Sequence, residues 1–532
     1  MTRPGLPQAA MRGLGRLLTG TGSGSGYSLL SAGSVVIAVL TYVRQAFIAD
    51  IFGMTWQTDA YAVAMVFPIL VRQIIAHSFN STFIPVYSQV MVDEGRQGAD
   101  RLLSRTLTWI FLLGGAAAGA LLLLGMDIVR IAGPGLGGRG LSLSASMLRI
   151  LVPIMVVNSA NGVLDSLLVY RSRYALVAAL RVGSVAVSLL LVPLAHQALG
   201  IHVLPVSVVA GPLTVFPVAL WMVIRDGSSP RPKVDPRDRS FRTLVRMALP
   251  VTVGAAAGFA GPIFDKMLAS LLQASSVTAL EYANRIKMMA HGILLAPLIT
   301  LADVNLSKRA ARRSIPELKE NLLAFTRWSS FISIPVAVLM TALATPMVVA
   351  LFRRGSFGVR EASLVGYGLA FYAPWLAQVG MGSVVSRGFY AMKDSFTPVV
   401  IGIWAMACNI LLNFILVGPL GIGGLALATT LSSSAKTAFL FFSFRLKVGP
   451  LGAAGTVREH LRLLLGAAAM IGLILLLEEV WPTDLHGGLY AVLLRVGLVA
   501  IASLAVYLIV ARLAGSRQLT SLRERVRRAL LR

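Results

Sequence analysis

The chain has 532 residues, 56% of them hydrophobic and 13% charged, with one cysteine and a formal net charge of +26. That balance describes a polytopic membrane protein. It excludes a disulfide framework or cysteine metal site, and it sets aside nucleic acid as a partner, because the basic residues gather in alternate loops as membrane orientation requires.

The first residues carry Arg3, Arg12 and Arg16 and then a Gly/Ser stretch, without a short apolar core ending in a small-residue cleavage site. Residues 1–26 therefore read as a cytoplasmic leader. Apolar stretches long enough to span follow at 27–50, 58–88, 104–127, 144–169, 175–195 and 201–224. A polar connection at 226–242 with three prolines reads as a cytoplasmic linker. Six more stretches lie near 247–272, 276–304, 322–352, 362–391, 395–417 and 421–444, and a last pair near 460–480 and 488–511. The expected fold is an all-α polytopic membrane protein of about fourteen transmembrane helices. They form two pseudo-symmetric six-helix lobes, 27–225 and 243–447, a helix pair within 448–513, and a basic cytoplasmic tail at 514–532 that reads as a surface helix on anionic lipid.

Orientation follows from the loops. Arg96, Arg101, Arg105, Arg171 and Arg173 fall in even-numbered connections, as do the clusters Arg225 to Arg246 and Lys308 to Lys319. The odd loops near 50–58, 196–203, 271–279 and 417–421 carry no Lys or Arg, whereas the third and ninth are exceptions with Arg130, Arg139, Arg353, Arg354 and Arg360. Both termini are therefore expected in the cytoplasm.

Three arginines break the apolar runs: Arg44, Arg72 and Arg285. Counted along each helix from the turn it shares with its neighbour, they lie about 13, 20 and 14 Å below one face of the membrane. Each costs about 2.5–3.5 kcal/mol on insertion scales, so three at one depth should face a wet cavity and meet an anion. Paired six-helix halves with a polar midplane are the expected design of a secondary transporter. The competing reading pairs each arginine structurally, for instance Arg72 with Asp59 or Asp165.

The first half contains Val43-Arg44-Gln45-Ala46-Phe47-Ile48-Ala49, Gly53, Thr58-Asp59-Ala60-Tyr61, Phe67-Pro68, Arg72 and Phe83-Ile84-Pro85-Val86. The second contains Tyr282-Ala283-Asn284-Arg285-Ile286, Leu351-Phe352-Arg353-Arg354-Gly355-Ser356-Phe357 and the run from Gly388 to Pro398. In order and spacing these motifs resemble the MurJ/MviN lipid II flippases of the multidrug/oligosaccharidyl-lipid/polysaccharide exporter superfamily, over about residues 27–513. The resemblance implies a transporter in the bacterial cytoplasmic membrane, and not an enzyme, that moves an undecaprenyl-diphosphate-linked glycan to the periplasmic leaflet by alternating access. It implies that Arg44, Arg72 and Arg285 hold the diphosphate, for which guanidinium forks are suited. The sequence departs from the family at Ala38, Gln45, His77, Asn284 and Met288, which replace charged positions.

The remaining candidates have bland and sharp readings. Asp59 opens the second span, where a carboxylate can cap free backbone N–H groups; the sharper reading is a periplasmic gate. His77 and Asn284 line or gate the cavity, His77 with a ring that titrates near neutral pH. Asp265, Asn409, Asn413 and Thr429 match positions of a sodium site in some relatives, with Asn413 where an acid can occur. Oxygen donors of this kind suit a hard cation, and Asn409 and Asn413 share a helical face; interhelical hydrogen bonding is the alternative. No cofactor is expected beyond sodium as a coupling ion. The substrate is lipid II or, alternatively, a lipid-linked exopolysaccharide repeat unit. An organic-cation exporter would favour acidic walls, and a membrane glycan polymerase would need a longer periplasmic loop.

Overall fold

The computed structural model describes residues 23–235, 238–311, 314–516 and 518–519, and among these the chain is helical almost throughout. Among the described residues nine helices are long and apolar enough to cross a membrane, ten when the bent pair Ser276–Leu294 and Ala296–Ala310 counts as one. Two of the nine, Tyr174–Arg225 and Phe396–Val448, run to 52 and 53 residues. At about 1.5 Å per residue each would reach roughly 80 Å, far beyond a hydrocarbon core of roughly 30 Å. Each breaks at a glycine, Gly200 (φ +54°) and Gly421 (φ +53°), in a backbone region that a side chain would strain. The stretches singled out in the sequence each fall on a helix or a broken helix pair, in the same order. The seventh helix starts earlier than expected, at Arg239.

Two compact units form, residues 1–48 with 56–263 and residues 49–55 with 264–532. The first contains most of α1 (Ser23–Phe52), then α2 (Trp56–Ala64), α3 (Val66–Asp93), α4 (Gly95–Leu123), α5 (Gly125–Ala132) and α6 (Gly138–Leu151). It continues with α7 (Pro153–Tyr170), α8 (Tyr174–Leu199), α9 (Val203–Arg225) and α10 (Arg239–Ser270) as far as Ile263. Pro153 starts α7, a position where the missing N–H is harmless. Phe83 and Tyr87 of α3, Leu102 and Ile110 of α4 and Leu164 and Leu167 of α7 build its core. Close approach of α8 and α9 depends on Gly211, where an added Cβ would stand 2.2 Å from the carbonyl oxygen of Ser184.

The polar connection after α9 packs on this unit. Arg105, nearly buried, pairs with Asp235 at 3.0 Å and Asp238 at 2.5 Å, and Arg173 pairs with Asp226 at 2.9 Å. The backbone N–H groups of Arg231 and Lys233 donate to the hydroxyls of Ser104 and Thr108 at 3.1 and 3.0 Å.

The second unit runs through α11 (Ser276–Leu294), α12 (Ala296–Ala311), α13 (Ile315–Ala342), α14 (Ala344–Phe352), α15 (Val359–Tyr372) and α16 (Pro374–Ala391). It ends with α17 (Phe396–Val448), broken at Gly421, α18 (Ala454–Val480) and α19 (Leu489–Leu513). Leu306, Leu322, Phe389 and Phe444 form one core, and Phe331 packs with Leu463, Met470 and Tyr507 in another that fastens α18 and α19 to α13. The Tyr507 hydroxyl donates to the Phe331 carbonyl at 3.2 Å. Outward faces of α18 and α19 expose Leu465, Leu475, Leu476, Leu494 and Ile501, as contact with lipid requires. Arg353 gives the ninth loop a positive charge for a structural reason, since its guanidinium donates to the carbonyls of Leu485 and Gly487. Residues 49–55 join this unit through Ser356 N–H to the Asp50 carbonyl at 2.8 Å and the Ser275 hydroxyl to the Met54 carbonyl at 3.0 Å.

Between α16 and α17, Asp394 accepts from the Thr397 N–H at 3.0 Å and hydroxyl at 2.8 Å, and pairs with Lys447 at 2.5 Å. Burial pushes its carboxyl up; Lys447 and Thr397 outweigh this and hold it at about 2, against an ordinary 3.8. A carboxyl depressed on folding stabilises above its unfolded value and ceases to do so as pH falls through the folded one, here from 3.8 to about 2. Lys447 is 44% exposed. Solvent screening then limits the pair to about 0–1 kcal/mol. Asp394→Asn should accordingly lower the thermal midpoint slightly at pH 7 and leave it unchanged at pH 2; a deficit constant over that range would contradict the assignment.

Candidate functional site

In the first unit, the sequence of α1 places Arg44 on a face that packs inward. The side chain is 7% exposed, and one terminal nitrogen donates to the Ser207 hydroxyl of α9 at 3.0 Å. Ser207 passes the contact on to the Leu204 carbonyl at 2.9 Å, while the Arg44 Nε is buried without a partner. No carboxylate among the described residues pairs with this cation. The fork is therefore anchored by one neutral hydroxyl and keeps donors for an anion. Sequence reasoning missed Ser207, because a serine in an apolar helix carries no signal of its distant partner.

Arg72 lies on α3, partly buried. The structural pairing with Asp165 does not occur, since Asp165 takes Arg181 at 2.8 Å. Asp59 is buried in the first turn of α2, where a carboxylate meets the positive end of the helix. His77 is on α3, and its side chain lies outside the described residues.

In the second unit, α11 carries Glu281, Asn284, Arg285 and Lys287 within two turns. Glu281 accepts from Arg285, one turn on, at 3.1 Å, and from Lys266 of α10 at 3.0 Å. This trio has a net charge of +1. Lys266, next to Asp265 in sequence, makes its ion pair with Glu281. Asn284 stands partly buried beside Arg285.

Asp265, Asn409, Asn413 and Thr429 come together. The Asn413 amide donates to Asp265 Oδ1 at 2.6 Å and to Asn409 Oδ1 at 3.5 Å, and the Asn409 amide donates to the Thr429 hydroxyl at 3.4 Å. The Thr429 hydroxyl in turn donates to the Leu425 carbonyl at 3.2 Å. The Asn413 carbonyl oxygen is buried with no donor. A carboxylate, amide oxygens, a hydroxyl and one orphaned acceptor fit a hard monovalent cation.

Lys287 is a buried cation whose setting the sequence did not disclose. Its side chain is 2% exposed, with the ammonium 3.9 Å from the ring centre of Tyr372 and 4.6 Å from that of Trp375.

Comparison with known proteins places this geometry in a lineage. The family model described as lipid II flippase MurJ matches residues 48–495. A probable lipid II flippase MurJ of Vibrio cholerae is 26% identical over 477 residues, covering 87% of this chain and 90% of that one. A lipid II flippase MurJ of Burkholderia cenocepacia is 25% identical over 472 residues, covering 84% and 88%. A solved lipid II flippase MurJ in an inward closed conformation superposes with a TM-score of 0.77 at 22% identity, covering 91% of this chain and 98% of that one. An inward-facing multidrug resistance transporter of the MATE family gives 0.68 at 16% identity, over 79% and 96%. The fold is thus shared with both solved transporters, and the family model covers most of the sequence: the chain belongs to the MurJ lipid II flippase family.

Proposed function

We infer that this protein carries lipid II, an undecaprenyl-diphosphate-linked glycan, from the cytoplasmic to the periplasmic leaflet of the bacterial inner membrane by alternating access, making and breaking no covalent bond. The observation that carries the reading is Arg44: a guanidinium buried in an apolar helix, held by a hydroxyl, with a donor left over. An intramembrane arginine is too costly to keep without a counter-anion, and a diphosphate is an anion matched to its fork. Arg72 in the first unit and Arg285 in the second supply further positive charge. Asp59, His77 and Asn284 act as gating or lining groups. A cation balancing Asp265 belongs to the cycle. The basic even-numbered loops support cytoplasmic termini.

The test is replacement. In cells depleted of their own flippase, expression of this chain should restore the exposure of lipid II to a lipid II hydrolase added outside. Membrane-inserted protein with lipid II still confined to the inner leaflet would refute the reading.

A further inference from the structure

We propose that Lys287 is a tethered cation for the polar cluster of Asp265, Asn409, Asn413 and Thr429, so that an ammonium of the chain itself takes the charge-balancing place that a sodium ion would fill.

The argument begins with the division of charges among α10 and α11. Lys266 and Arg285 are both committed to Glu281, at 3.0 and 3.1 Å. Asp265 has no such ion pair and is supported instead by the Asn413 amide, which donates to it at 2.6 Å. The cation left over is Lys287, and the charge that acts on it is Asp265. Taking an ammonium out of water is unfavourable unless something replaces its hydration. Two aromatic faces, Tyr372 and Trp375, do part of this. The His291 ring lies tilted against Trp375, with centres 5.6 Å apart.

The same elements join the two halves of the arrangement. Tyr372 holds the lysine with its ring, and the carbonyl of its neighbour Phe371 accepts from the Thr430 hydroxyl at 2.8 Å, so the cage and the oxygen cluster meet where α15 packs on α17. A lysine that merely filled space would not need two ring faces or a neighbouring carboxylate. With Lys287 charged, Asp265 is balanced and a second cation gains little by entering. With Lys287 neutral or absent, the carboxylate and the orphaned Asn413 oxygen are left to attract one.

The inference deepens the reading of Asp265 given above, and it is tested by binding alone, so its failure is separate from any failure of lipid II transport. Purified full-length protein in detergent is titrated with ²²Na⁺, and its thermal midpoint is compared in sodium and choline chloride at equal ionic strength. The native protein should show no saturable uptake of ²²Na⁺ and no sodium-specific shift. Lys287→Met should create saturable binding and a rise of several degrees in sodium, and adding Asp265→Asn should abolish both. Lys287→Arg, which keeps the charge, should stay insensitive. Saturable sodium binding by the native protein that Asp265→Asn removes would overturn the proposal, as would a folded Lys287→Met variant that gains none. If Lys287→Met does not fold, Lys287→Gln replaces it, and the measurement on the native protein remains decisive.

Discussion

Arg44→Ala should lower lipid II translocation per inserted molecule by about 10- to 100-fold, the loss expected when one charge-assisted hydrogen bond of about 1.5–3 kcal/mol disappears. Arg44→Lys should fall between, since an ammonium keeps the charge and gives up the paired donors. The control is Ser207→Ala. It removes the hydroxyl that anchors the guanidinium at 3.0 Å while leaving the cation in place, and should cost less transport than Arg44→Ala. If Arg44 served packing alone, translocation and thermal midpoint would decline together in all three variants. Translocation unchanged in Arg44→Ala at equal membrane abundance would remove the residue from the substrate route.

Gly211→Ala should be the most damaging single-methyl change in the first unit. Its Cβ would stand 2.2 Å from the Ser184 carbonyl oxygen and 3.1 Å from that carbonyl's carbon, and a backbone cannot yield as the end of a side chain can. Overpacking of this kind costs about 1–3 kcal/mol or more. The thermal midpoint in detergent should drop by several degrees, with a lower yield of inserted protein. Gly183→Ala, on the neighbouring helix, is the matched comparison, because nothing lies within 4 Å of its added Cβ. There alanine should be neutral or stabilise by about 0.5–1 kcal/mol, through lower backbone freedom in the unfolded chain. Equal effects of the two substitutions would refute the steric argument.

What the sequence discloses depends on how local each signal is. Long apolar runs mark helices because a backbone in lipid must satisfy its own hydrogen bonds, and this holds whatever the helices pack against. The arginines are legible for the same reason: a charge in such a run is anomalous wherever it points. The pairing of Glu281 with Arg285 is local, one helical turn, whereas the second grip on Glu281 comes from Lys266 on another helix and leaves no trace in spacing. Asn409 and Asn413 announce a shared face by spacing, whereas their grouping with Asp265 and Thr429 came from the family resemblance, and the hydrogen bonds joining the four are tertiary. The setting of Lys287 was the least accessible. An aromatic cage assembled from the end of α15 and the start of α16 is a matter of tertiary placement, and neither Tyr372 nor Trp375 stands out in an apolar chain. The pairing of the linker's aspartates with Arg105 and Arg173 is tertiary in the same way and leaves no trace in spacing.

That mooring has a consequence for how the protein meets its bilayer. Topology is decided while a chain is being threaded, when every arginine of a short loop counts towards retention on the cytoplasmic side. Once folded, Arg101, Arg105 and Arg173 are occupied by Glu94, Asp235, Asp238 and Asp226. The finished surface there attracts phospholipid headgroups less than a tally of its residues suggests, so electrostatic guidance during biogenesis and adhesion to the mature membrane are separate properties of one stretch of sequence.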